Sequence, residues 1–164
     1  MHTRNIVSIG LLAAVYVALC AVLQPISFGP IQFRVSEVLC LLCIDYPLAI
    51  FGVSIGCFLS NLFLGGLGII DVIFGTAATV IGCLMAYHFH NVLFKNYPLL
   101  SVFCIALANG IIVGIELGFL LDSVKMIPLY MLYVFIGESV VLFVGLPFYR
   151  RLYASGFFEK KRRG

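Results

Sequence analysis

Apolar stretches alternate along this chain with short breaks of proline, glycine and charge. The first runs from about Asn5 to Leu23 and stops at Gln24-Pro25. A loop from Pro25 to Val35 follows, with two prolines and Gly29. Ser36 to Leu64 is apolar again, up to Gly65-Gly66-Leu67-Gly68. The next stretches are Ile69 to Leu93, Pro98 to Leu121 and Ile127 to Phe148, ending at Lys95-Asn96, Asp122-Ser123 and Arg150-Arg151. Runs of this length predict membrane-spanning helices. Proline and glycine separate them because both interrupt the helical hydrogen-bond ladder.

The stretch from Ser36 to Leu64 is too long for one span. As a single helix it would reach about 43 Å, against about 30 Å of hydrocarbon. It also contains Asp45-Tyr46-Pro47, and proline disfavours helical geometry in the residue before it. The pattern therefore predicts a short helix over 36–43 and a longer one over 46–64. With helices over 5–23, 69–93, 98–121 and 127–148, the expectation is an all-α integral membrane protein of six transmembrane helices. These form one domain, 1–150, followed by a basic tail, 151–164.

Composition agrees. Hydrophobic residues make up 63% and charged residues 10%, and mean hydropathy is +1.16. Soluble domains run near 45–50% apolar and about 25% charged. Of the 10 basic and 7 acidic residues, eight lie before Asn5 or after Phe148. Spanning helices of about 20 residues leave no room here for a soluble catalytic domain. The apolar run Ile6 to Leu23 exceeds a signal-peptide core and lacks a small-x-small cleavage site, so it is expected to remain as a helix. The net charge of +3 concentrates at the C-terminus and does not suggest nucleic-acid binding. The six cysteines lie inside apolar runs. Cys40-x-x-Cys43 lacks the second ligand pair of a zinc site, so the thiols read as small apolar side chains. With six helices, Arg4, Lys95, Arg150, Arg151, Lys160, Lys161, Arg162 and Arg163 share one side, leaving Arg34 and Lys125 on the other. The positive-inside rule then places both termini in the cytoplasm.

Ionisable side chains within a membrane are costly and mark functional sites. On this topology Gln32, Arg34 and Glu37 lie at the outer surface, with Asn61, Asp71 and Glu116 near the outer helix ends. Glu138 and Asn109 lie deeper, Glu138 about 16 Å into its helix. Structural readings stand beside these. Arg34 and Glu37 could staple a helix start as an i, i+3 pair. Asp71 could stabilise a helix N-terminus. Glu116 could snorkel to the surface, and Asn109 could bond a neighbouring helix. Asp71, Gly75 and Thr79 form an i, i+4, i+8 stripe. Together the outer set holds four carboxylates and one arginine, a composition suited to a ligand with several N–H donors or a cationic amine. Phe28, Phe33, Phe63 and Phe74 lie close by in sequence, and aromatic faces beside acceptors suit a flat heterocycle. No P-loop, G-x-S-x-G or H-E-x-x-H motif occurs, so neither ATP hydrolysis nor another catalysis is expected of this chain. Gly10, Ala14 and Ala18 recur every four residues, a spacing that lets another helix approach closely in lipid, within this chain or from a partner.

Two strings carry a resemblance: Gly29-Pro30-Ile31-Gln32-Phe33-Arg34-Val35-Ser36-Glu37-Val38-Leu39 and Asp71-Val72-Ile73-Phe74-Gly75-Thr76-Ala77-Ala78-Thr79. With Gly56-Cys57 and Gly137-Glu138, they resemble the QueT family over roughly residues 5 to 150. That family comprises substrate-binding S components of energy-coupling factor (ECF) transporters for queuosine precursors. The resemblance implies the six-helix S-component fold in a prokaryotic plasma membrane. It implies a pocket open to the outside, capped by the loop from Pro25 to Val35. The substrate would be a 7-deazaguanine such as preQ1, preQ0 or queuine. Gln32, Arg34, Glu37, Asn61, Asp71, Glu116 and Glu138 would line the site, with Asn109, Phe33 and Phe74 beside them. The partners would be a transmembrane T component and two cytoplasmic ATPases, which would carry the ATP and Mg that this chain lacks. In S components a small-residue A-x-x-x-A stripe on the first helix meets the T component, and Ala14-Val15-Tyr16-Val17-Ala18 is similar. The alternative is a self-sufficient proton- or cation-coupled transporter or channel, working as an oligomer through Glu116 and Glu138.

Overall fold

The structure, a computed structural model, describes residues 3–27, 33–121 and 124–156. Within them every regular element of three residues or more is a helix. Helix α1 spans Thr3–Val22, α2 is one turn at Gln24–Ser27, and α3 spans Leu48–Leu64. Helix α4 covers Ile69–His88, α5 Leu99–Leu120 and α6 Ile127–Ala154. Between α2 and α3, Val35–Ile44 forms a 3₁₀ helix, and a shorter one at Val124–Met126 precedes α6. Four segments are long and apolar enough to cross a membrane: Thr3–Val22, Ile69–His88, Leu99–Leu120 and Val124–Ala154. Val35–Ile44 and Leu48–Leu64 are shorter. The protein is an α-helical membrane protein.

The long helices pack in chain order, α1 on α3, α3 on α4, α4 on α5 and α5 on α6. The 3₁₀ helix Val35–Ile44 touches all five and buries seven of its ten residues. Lipid provides no hydrophobic force between helices, so close backbone approach carries the packing. Gly110, Gly114 and Gly118 recur every four residues on α5 and meet Phe135, Met131 and Ile127 of α6. A Cβ at Gly114 would stand 2.5 Å from the Met131 Cα, closer than any real contact. On α3, a Cβ at Gly56 would lie 2.6 Å from the Tyr16 Cβ of α1.

The predicted short helix over 36–43 is a 3₁₀ helix of ten residues. At about 2.0 Å rise per residue it reaches about 20 Å, where an α-helix of equal length would reach about 15 Å. Its three-residue repeat also sets side chains at i and i+3 one above the other. Arg34, Glu37, Cys40 and Cys43 follow that spacing, and all four are buried.

Two helix ends differ from the pattern's prediction. Helix α4 stops at His88, not Leu93. The chain then turns tightly, with Lys95 and Asn96 both at positive φ and Phe94 and Tyr97 bonded to each other through both backbone amides. Helix α6 runs through Pro147 and past Phe148 to Ala154. Side chains beyond the proline are anchored: the Tyr149 hydroxyl donates to Asp45, and Arg150 donates to the Tyr97 hydroxyl at 2.6 Å.

Candidate functional site

The buried edge of the 3₁₀ helix organises a polar cluster. Glu37 is fully buried, and each carboxylate oxygen accepts from a neighbour. Tyr16 of α1 and Thr79 of α4 donate to Oε1, Thr79 at 3.2 Å. Cys40, one 3₁₀ turn on, donates to Oε2 at 2.9 Å. Arg34 reaches across to α4, its Nη2 lying 3.5 Å from Asp71 Oδ1, with both side chains buried. Asn61 donates to the Asp71 carbonyl at 3.1 Å. Cys57, one turn before Asn61 on α3, lies with its Sγ 3.3 Å from the Thr79 hydroxyl oxygen.

Local sequence dictates this assembly. Asp71, Gly75 and Thr79 recur every four residues and share one face of α4. Cys57 and Asn61 do the same on α3. Gly75 leaves room between them: a Cβ there would stand 2.6 Å from Asn61 Nδ2 and 3.3 Å from Asp71 Oδ1. Asp71 sits in the first turn of α4, where the helix dipole favours a carboxylate.

Two further acids close on the cluster from α5 and α6. Glu138 is buried mid-helix, within electrostatic reach of Glu37 and Arg34. Its Oε2 has no hydrogen-bond partner among the described residues. Glu116 is within reach of Asp71 and Arg34. Both its oxygens are buried without a partner among the described residues. It borders a cavity of about 360 Å³ lined by Ile70, Phe74, Ile115, Phe119 and Leu120, a size in the range of small-molecule sites.

The fold thus brings together Arg34, Glu37, Asn61, Asp71, Glu116 and Glu138, with Phe74 on the cavity wall. Gln32 and Phe28 lie outside the described residues, as does the loop over 28–32. Phe33 is half-buried beside Arg34. Asn109 is buried, and its amide donates to Ile105 one turn back on α5 at 3.2 Å. Phe63 is exposed on α3. Glu116 does not snorkel, since only 4% of it is exposed. Gly10, Ala14 and Ala18 are exposed on α1, and a Cβ at Gly10 would meet nothing within 4 Å. The opposite face of α1 buries Ile9, Ala13, Tyr16 and Cys20 against the rest of the chain.

The pattern overlooked Tyr16, and it treated the thiols as apolar. All six cysteines are buried and unpaired by disulfides, but Cys40 and Cys57 act as hydrogen-bonding groups. The three-residue spacing from Arg34 through Cys43 was the available signal.

Fold and cluster together define a helical membrane protein with an acid-rich polar site inside it. The chain belongs to the QueT transporter family, whose model matches residues 6–154. It is 38% identical over 107 residues to the Queuosine precursor transporter QueT of Lactococcus lactis subsp. cremoris (strain MG1363). That alignment covers 62% of this chain and 62% of the relative, less than two thirds of either. No solved structure matches this chain.

Proposed function

We propose that this chain is the substrate-binding S component of an ECF-type importer, capturing a queuosine precursor from outside the cell. The observation that carries this reading is the buried cluster of four carboxylates around one arginine inside an apolar helical body. Such a cluster is expensive in a membrane and is retained for a ligand. Its formal charge is negative, so it favours a ligand rich in N–H donors. A 7-deazaguanine presents these along its guanine-like edge, and the relative named for queuosine precursors supports that class. Arg34, Glu37, Asn61 and Asp71 form the ordered wall, Glu138 and Glu116 supply acceptors, and Gln32 is a further ligand contact. Both termini face the cytoplasm, with all six helices crossing.

Transport then needs a motor supplied by others: a T component and two ATPases holding ATP and Mg. The exposed stripe Gly10, Ala14, Ala18 is the surface for the T component, because small residues permit close helix contact and nothing in the described chain covers it. Reconstituted alone, the protein should bind ligand without sustained uptake, and uptake should appear with the partners and ATP. Ala14→Trp with Ala18→Trp should abolish assembly and uptake while the isolated chain still binds ligand. Proton- or cation-driven uptake by the chain alone, or loss of ligand binding in the double variant, would overturn this reading.

A further inference from the structure

Asp71 opens α4 at the acid-rich site, and the far end of the same helix leads to a basic one. Lys95 stands in the turn after α4, Arg150 and Arg151 near the end of α6, and all three are exposed. The acids of the described residues, Glu37, Asp45, Asp71, Glu116 and Glu138, are all buried. None of them stands at the surface to neutralise these cations. Turn and helix are tied together here: Arg150 donates to the Tyr97 hydroxyl at 2.6 Å, and its guanidinium carbon lies 4.4 Å from the Tyr97 ring centroid. A guanidinium carries five N–H donors in a rigid fork. The bond to Tyr97 uses one and fixes the direction of the rest.

Two cavities flank Tyr97. One, of about 310 Å³, is lined by its neighbours Asn96 and Pro98 and by Tyr149, Arg150 and Tyr153 of α6. The other, of about 300 Å³, is lined by Tyr97 itself and by Leu99, Phe143, Leu146 and Pro147. A proline inside a helix displaces the carbonyl four residues back, here that of Phe143, and both residues border this second groove. Phe143 lies about 10 Å along α6 from Arg150, toward the middle of the helix. A cationic, partly polar hollow at the helix end thus continues into an apolar groove deeper along the span.

A ligand that fills both must be anionic at one end and apolar at the other. Phosphate oxygens match the guanidinium fork, and basic hollows between helices at a membrane surface suit anionic head groups. A free phosphate would leave the groove at Pro147 empty. We propose that this end of α6 holds one anionic phospholipid, with its phosphate on Arg150 beside Lys95 and an acyl chain along the groove lined by Leu99, Phe143 and Pro147.

The test is native mass spectrometry of the purified full chain in detergent. It is titrated with phosphatidylglycerol, with phosphatidylcholine of the same acyl chains, and with inorganic phosphate. Wild type should bind phosphatidylglycerol about ten-fold more tightly than phosphatidylcholine and show no saturable binding of inorganic phosphate over the same range. Arg150→Gln should weaken phosphatidylglycerol binding about five- to ten-fold, with a folded state checked by its unfolding midpoint. Lys95→Gln, in an exposed turn, should weaken it about five-fold and serves if the first variant misfolds. Arg4→Gln, on α1 outside both cavities, should change it less than two-fold. Equal binding of the two lipids overturns the site, as does inorganic phosphate bound as tightly as phosphatidylglycerol. A loss in Arg4→Gln as large as that in Arg150→Gln overturns it too, because the attraction would then belong to surface charge at large.

Discussion

Glu37 and Glu116 are both acids buried in the same membrane protein, yet their surroundings are opposite. Glu37 is held from three elements: Tyr16 of α1, Thr79 of α4 and Cys40 of its own helix. Glu116 meets no donor among the described residues and borders an apolar cavity. A fully bonded carboxylate fixes neighbouring helices relative to one another. A carboxylate buried without donors loses its hydration and recovers none of it in hydrogen bonds. The contrast separates a carboxylate that ties helices together from one that the described residues leave without a hydrogen bond.

Stability measurements should break this comparison most sharply. Glu37→Ala strands a phenol, a hydroxyl and a thiol in the interior, and should cost about 2–4 kcal/mol. Glu116→Gln removes a buried carboxylate that no hydrogen bond from the described residues supports, and should leave stability unchanged or raise it. Thermal unfolding midpoints in detergent check both, and equal losses would erase the distinction. A smaller effect is expected at Gly75, where a Cβ would stand 2.6 Å from Asn61 Nδ2. Gly75→Ala gains up to about 1 kcal/mol of helix propensity against about 1–3 kcal/mol of overpacking. A net loss is predicted. Gly10→Ala on the open face should show only the gain. The smallest change is Thr79→Val, which removes one of two donors at Glu37 Oε1. It should cost about 1 kcal/mol, read from the same midpoints.

Much of this was legible in the sequence. Charge-poor apolar runs announced helices in a membrane, and the few interior charges singled out Arg34, Glu37, Asp71, Glu116 and Glu138, which the fold buries close together. The helix type at Val35–Ile44 was not legible, because a ten-residue apolar run satisfies either helical period. Only the Arg34, Glu37, Cys40, Cys43 spacing distinguished them. Tyr16 was hidden because an aromatic on an apolar helix reads as core until the rotation of α1 is known. The end of α6 was misplaced because Pro147 and Arg150-Arg151 are ordinary stop signals. Tertiary anchors at Asp45 and Tyr97 carry the helix past them.

The central claim is that the buried acidic cluster binds a queuosine precursor, and one substitution addresses it directly. Glu138 lies mid-helix within electrostatic reach of Glu37, with Oε2 unpartnered among the described residues, and Glu138→Gln removes its charge while keeping its size. Titration of the purified chain with 7-aminomethyl-7-deazaguanine should show saturable binding in wild type. Binding should weaken by about 1.5–3 kcal/mol in the variant, or about 10- to 150-fold. Equal affinity in a folded Glu138→Gln protein, or no saturable binding in wild type, would contradict the account.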